Sequence, residues 1–458
     1  MTVAPGRPRP ARRGLTDFSL AVQRSDIEGI GGLGGTAGWL DADRAAAYDA
    51  FEALPAESNM LYTTYIDLRT VALEGAALVH SPRSEPRPVD LPAGTDGLLV
   101  IDEGDLAGVA LSADAIAAGV TLTTVADLWS RDPERVRALL DEGSILPPDD
   151  RFAQLTRALW SQGVVLDIPA GVRLERPVIV RWSAGAPDRA LLSRTFIALG
   201  DGAAATVLEE LVASGPVDPG AGQSFIAGTL EVRLGRDARL ELASLQELPP
   251  TTVAFQHRNA VLADGATLHW ALAQLGSRLV RSRVDNRLEG DRSSVEQVEI
   301  VFGGSDQLFD LTSYTHHIGR DTSGNLLSKG ALLDRARSFM KGMIVIDRSA
   351  VGTDSFLGEF GMNLSKQTRS VAIPSLEIDQ PDCRRAAHAS SVGPIDETQL
   401  FYLETRGIPP DEARKFIVLG FLEPVVARVP LADAQDRLRA LLEAKWDAGI
   451  GAGAVAAA

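Results

Sequence analysis

Hydrophobic and polar residues change their spacing twice along this chain. Up to about Val71 the pattern is mainly helical. Asp41 stands as a plausible N-cap for the Ala-rich stretch after it, and Phe51 and Leu54 continue one apolar face. SPRSEPRPVDLPAG then reads as an exposed linker, followed by short alternating runs such as LLVID and by helical signals in ADLWSRDPERVRALLDEG. RFAQLTRALW, from Arg151, predicts a short helix. Beyond it the spacing becomes that of strands: GVVLDIPAGVRLERPVIVRW carries β-branched residues in short runs between P-A-G and Arg-Pro turns. The second change comes at Asp396, where helical spacing returns and holds to Trp446, ahead of the tail GIGAGAVAAA.

A loose repeat fills the strand region. TFIALGDGAAATVLEEL, LEVRLGRDARLELASL, NAVLADGATLHWALAQL and NRLEGDRSSVEQVEIVF each set a Gly/Asp-rich corner between two alternating strands, and GALLDRARSFMKGMIVID continues the series. The corners recur about every 30 residues, roughly the period of a solenoid coil. Such a coil has an apolar face that it cannot bury alone and that the next coil covers. Ala203, Ala238 and Ala266 are small enough for its corners. Asp-Gly corners also make hairpins, so an antiparallel sandwich fits the same pattern.

Strands and helices meet in the run from Ile373 to Leu422, IPSLEIDQPDCRRAAHASSVGPIDETQLFYLETRGIPPDEARKFIVLGFL. Leu376 and Ile378 end the alternation, and a polar corner follows with the sole cysteine, Cys383, and with His388. Asp396 with Gln399 makes a capping-box-like start, Gly407 stops that helix, and Pro409 and Pro410 open the next. Glu412 then suits the positive end of the dipole. Thiolate and imidazole are good ligands for iron or zinc, and Glu377, Asp379 and Asp382 lie nearby. One Cys–His pair is still not a complete site, and a solvent-facing corner is the competing reading. Phe401, Tyr402, Phe416, Leu419, Phe421 and Leu422 concentrate bulky side chains in a chain that is only 5% aromatic. Most of them are expected to cap the last coil, and the rest to form a patch for a partner.

Other motifs carry less. GIGGLGG (Gly29 to Gly35) satisfies G-x-G-x-x-G, but no strand precedes it and no acidic residue on a second strand follows at the usual distance, so a loop is the better reading. His316 and His317 are adjacent; on a strand they point to opposite faces and cannot share a metal. The balance of 45 basic against 61 acidic side chains, a net charge of −16, repels phosphate backbones and argues against nucleic acid as a partner. A single cysteine excludes an internal disulfide and a cluster held by about four thiolates of one chain. The start MTVAPGRPRPARRG is basic and Pro-rich without an apolar core, which reads as a disordered arm. No apolar run is long enough for a bilayer, and the expected location is cytoplasmic, with no membrane partner.

PSLEI, the H-x-x-S-V-G string from His388, and D-E-x-x-L-F-Y-L-x-x-R-G-I-x-x-x-E-A from Asp396 to Ala413 together resemble the C-terminal region of the SufB/SufD family of iron–sulfur cluster assembly scaffolds. The resemblance implies a mainly β fold with a right-handed parallel β-helix (β-solenoid) core at residues 151–392. A disordered arm at 1–14 and an N-terminal mainly helical α/β domain at 15–150 would precede it. A C-terminal helical domain at 393–447 and a flexible tail at 448–458 would follow. It also implies that His388 lies at the interface with a SufB-type subunit, where transient iron or a nascent cluster assembles, with no cofactor firmly bound by this chain alone.

SufD relatives often carry a cysteine where this chain has Ala386; Cys383 is out of register with it and stays a speculative ligand. The sulfur-accepting cysteine of SufB falls at Thr368, beside Gln367 and Arg369, and a hydroxyl cannot carry a persulfide. The chain is therefore most like the SufD branch, and KGMIVIDRSAVGTDSF agrees, although HHIGRDTSGNLLSKG leans towards SufB. The implied role is a non-catalytic scaffold subunit that forms a heterodimer with SufB and docks the ATPase SufC through the hairpin of Phe401 to Leu422. Two alternatives are a SufB-like homodimer in which Cys383 accepts sulfur, and a β-helix carbohydrate-active enzyme using paired carboxylates.

Overall fold

The structure is a computed structural model that describes residues 14–30, 38–59, 65–80, 88–141, 146–216, 218, 220–429 and 432–456. All but the last residue of the expected arm at 1–14, and most of the GIGGLGG motif, lie outside the described residues. The N-terminal part holds α1 (Asp26–Ile30), α2 (Gly38–Ala53), β1 (Ala77–Leu78), β2 (Gly97–Asp102), β3 (Asp105–Leu111), α3 (Ala113–Ala117), β4 (Thr121–Thr124), α4 (Val125–Arg131), α5 (Pro133–Asp141) and α6 (Arg151–Leu159). Asp41 sits in the first turn of α2 rather than at its cap, because the helix already begins at Gly38.

Strand pairs follow: β5 (Gln162–Ile168) and β6 (Val178–Ala184), β7 (Arg189–Leu199) and β8 (Ala204–Ala213), β9 (Ser224–Leu234) and β10 (Arg239–Glu247), β11 (Thr252–Leu262) and β12 (Thr267–Gln274). The series continues with β13 (Leu279–Leu288) and β14 (Ser294–Gly303), β15 (Leu308–His317) and β16 (Ser323–Leu332), β17 (Arg337–Ile346) and β18 (Asp354–Asn363). It ends at β19 (Arg369–Ile378) and β20 (Arg385–Gly393). From β5 onwards the odd strands stack in one sheet and the even strands in the other, each parallel to its neighbours. Each Gly/Asp corner therefore carries the chain across to the opposite sheet, and the fold is a parallel β-solenoid, not a hairpin sandwich. In the N-terminal part, β2 and β3 extend the even sheet and β4 the odd one.

Corner chemistry explains the tight stacking. Ala203, Ala238 and Ala266 are fully buried at successive corners. Gly202 (φ 69°), Asp237 (φ 56°) and Gly265 (φ 66°) adopt the left-handed conformation that the turn needs and that Gly or Asp accepts most readily. Between the sheets, alternate residues such as Val232, Leu242, Leu268 and Trp270 fill the lumen. The outer face of the odd sheet buries Phe225 and Phe255 under Phe152 of α6 and under Phe18, with ring centroids 4.5–5.8 Å apart.

After α7 (Glu397–Thr405), the last two helices, α8 (Pro410–Val426) and α9 (Ala432–Ala456), cover the outer face of the even sheet. Val418, Leu422, Leu438, Leu442 and Trp446 pack on Ala243, Ala271, Val298 and Ile300. This corrects the expectation of an end cap: α8 lies along β12, β14 and β16 on the flank of the solenoid. Alternate apolar residues on those strands offer the helices a far larger dry surface than one terminal coil does. The same face receives Val89 and Leu91 from the end of the expected linker. The backbone of α9 stays helical to Ala456, past Trp446, as its Ala content favours.

Candidate functional site

With the helices on the flank, the last coil stays open. β19 and β20 are the edge strands of their sheets, and most of their residues are exposed or half-buried. Parallel register fixes which side chains face the lumen there. Leu357, fully buried, pairs with His388, and Glu359 pairs with Ser390. Opposite them Gly342 pairs with Pro374 and Ile344 with Leu376. His388 thus shares the inward face of β20 with Ala386 and Ser390, at the mouth of the solenoid. Ile378 and Val392 are exposed apolar residues on the same rim.

Glu359 lies one strand below this mouth and is only 1% exposed. Burial pushes its pKa up to about 8, against a backbone hydrogen bond from the Ile373 N–H that works the other way. Its Oε2 finds no hydrogen-bond partner among the described residues. The carboxyl and Leu357 both reach across the lumen towards Gly342: a Cβ there would stand 2.5 Å from Leu357 Cδ2 and 2.9 Å from Glu359 Oε1.

The structure separates Cys383 from His388. Cys383 is half-buried in the turn between β19 and β20, against the cluster of Leu326, Ile344 and Leu357. His388 is not at a corner but in the middle of β20. Among the described residues no three His, Cys, Asp or Glu side chains gather into a metal site, so a cation at the mouth would need ligands from another chain or from water. Thr368 stands just before β19 and donates its hydroxyl hydrogen bond to the Ser365 carbonyl at 2.7 Å. His316 and His317 do take opposite faces of β15, the first half-exposed and 3.7 Å from Asp347, the second buried in the lumen.

The six hairpin residues divide. Phe401, Tyr402 and Phe416 are more than half exposed. Leu419 and Phe421 pack partly against the flank, and Leu422 is fully buried there, so Leu422 belongs to the core and not to a partner surface. No residue of α7 is buried; the helix stands off the solenoid, its start capped by Asp396, which accepts from the Thr398 N–H at 2.8 Å. A groove between α8 and α9 is lined by Glu412, Phe416, Leu419, Glu443 and Trp446.

Sequence reasoning missed the polar lumen. One inward column runs Glu209, Ser244, Leu272, Glu299, Ser328, Glu359 and Ser390 along the even sheet. Glu209 pairs with Arg258 at 3.0 Å and accepts from Ser244 at 2.6 Å; Glu299 accepts from Ser282 at 2.8 Å. The adjoining cavity of about 30 Å³ has room for one or two waters, not for a sugar ring. On the outside of the odd sheet, buried Asp150 caps α6 and meets His257, Arg281 and Arg283 at 2.6–3.1 Å. Burial works to raise the Asp150 pKa, but Arg281 and His257 outweigh it and hold it well below the usual range. Strand parity was the available signal: Glu359 sits two residues after Leu357, hence on the same face.

Residues 182–421 match the protein family described as "SUF system FeS cluster assembly, SufBD core domain". The iron–sulfur cluster assembly protein SufD of Bacillus subtilis is 26% identical over 416 residues, covering 89% of this chain and 94% of that protein. SufBD family proteins of Staphylococcus saprophyticus and Staphylococcus epidermidis are each 26% identical over 303 and 309 residues, spanning 64% and 65% of their own lengths.

Proposed function

Because this chain belongs to the SufBD core family of the SUF iron–sulfur cluster assembly system, we propose that it is a SufD-like scaffold subunit without turnover of its own. In this reading the chain pairs with a SufB-type subunit through the open coil and docks a SufC-type ATPase through the α7–α8 hairpin. The observation that carries the proposal is the uncovered coil: two edge strands, an apolar rim of Ile378 and Val392, and an exposed imidazole between them. Unpaired edges of this length are templates for pairing with another chain. His388 then supplies an imidazole where iron and sulfur assemble, from the subunit that has Thr368 in place of an acceptor thiol. Nucleotide-dependent movement of SufC-type subunits would open that interface, which requires different contacts with α7 and α8 in the two nucleotide states.

Co-purification tests both surfaces at once. Ile378→Asp with Val392→Asp is expected to abolish capture of the SufB-type subunit and spare that of SufC. Phe401→Ala with Phe416→Ala should do the reverse. Retained SufB capture by the first variant would overturn the placement of the interface, and self-association of the wild type through the same rim would favour the homodimer.

A further inference from the structure

We propose that Glu359 is a ligating residue: together with His388 it forms a carboxylate–imidazole half-site for a divalent cation of the iron(II) class, completed by the chain that pairs onto β19 and β20. The inference rests on the iron-handling role proposed above and adds a group that no sequence motif singles out. Three observations carry it.

The first is register. His388 stands over Leu357 and Ser390 over Glu359, so Glu359 and His388 face the same lumen on adjacent strands, two residues out of step. Adjacent strands lie about 4.8 Å apart and a two-residue step is about 6.6 Å, which places the two Cα atoms about 8 Å apart. An imidazole and an extended carboxylate span that gap with a cation about 2 Å from each, the usual bond to nitrogen and oxygen ligands. That donor pair suits iron(II) among the first-row metals.

The second is the missing partner. Glu209 has Arg258 and Ser244. Glu299 and Glu359 each leave Oε2 without a partner among the described residues, but Glu299 Oε1 accepts from two side chains, Ser282 and Gln274, whereas the other oxygen of Glu359 meets only a peptide N–H. A buried acid left so is costly unless something else arrives to satisfy it.

The third is space. Ala372, Pro374, Ala386 and Ser390 are the small inward residues of the last coil around His388. A cation entering from the open end meets the imidazole first and the carboxylate beneath it. Cys383, in the turn, takes no part.

The test is anaerobic titration with Co²⁺, read by its visible absorption, on the full chain alone and in complex with a SufB-type subunit. Wild-type complex is expected to bind one Co²⁺, and Glu359→Gln and His388→Ala each to weaken binding at least tenfold. The chain alone should bind more weakly with the same dependence on Glu359, so the result stands whether or not a partner pairs. Gel filtration of the same samples reports pairing separately: lost pairing with retained Glu359 dependence counts against the scaffold reading alone. Unchanged affinity in Glu359→Gln, or no saturable binding in either sample, overturns the proposal. Should Glu359→Gln not fold, Glu359→Asp, which withdraws the acid by one methylene, must show the same loss.

Discussion

His317 occupies a lumenal position that a titratable side chain can hold only while neutral. Its Nδ1 lies 2.8 Å from Thr322 Oγ1 and its Nε2 3.0 Å from Ser355 Oγ, so both ring nitrogens are satisfied. Burial, helped by His316, lowers its pKa to about 4. The unfolded chain takes up the proton near pH 6.5 and the folded chain only near 4, so stability is lost as pH falls through that window, on the order of 3 kcal/mol in full. Glu359 acts in the opposite sense: its folded pKa of about 8 lies above the unfolded value, so its contribution declines as pH rises from the ordinary carboxyl range towards 8. Urea midpoints of wild type and His317→Gln at pH 7 and pH 5 separate the two. The variant is expected to lose less stability than wild type on acidification, and equal losses would assign the acid sensitivity elsewhere. Alternation in SYTHHIG already put one histidine inside; which one depended on the register of the whole coil.

At the scale of the element, the corners govern. Four of the corners place Gly200, Gly235, Gly290 and Gly319 so close to the preceding coil that a Cβ would strike backbone: Gly290 against Asp264 and Ala263, Gly319 against Gly290. Gly290→Ala is therefore expected to cost about 1–3 kcal/mol or more by overpacking. Gly393→Ala, at a position with open space, should stay within about 0.5 kcal/mol of wild type. Equal denaturation midpoints for the two would refute the steric account of coil spacing. Gly/Asp-rich corners were legible in the sequence because a turn advertises itself through local backbone needs. Their stacking was not, since each glycine is explained by a residue about one coil away.

At the scale of the whole molecule, three apolar layers hold the fold: the lumen, and one on the outside of each sheet. Leu438 is fully buried between α9 and the even sheet, so Leu438→Ala is expected to lower unfolding stability by about 2–5 kcal/mol. Phe401→Ala, on a helix with no buried residue, should leave it nearly unchanged, as chemical denaturation would show. Short-range spacing alone dictates where strands alternate, where corners and helices begin, and that His388 falls next to the end of the β region. Long-range packing settles that coils stack in parallel, that α8 and α9 lie along the flank, and that Leu422 is core while Phe401 and Phe416 are exposed. The same holds for Glu359 beneath His388. Residues 29 positions apart in the chain become neighbours through register alone, and the burial that isolates the carboxyl exists only once the coils have stacked.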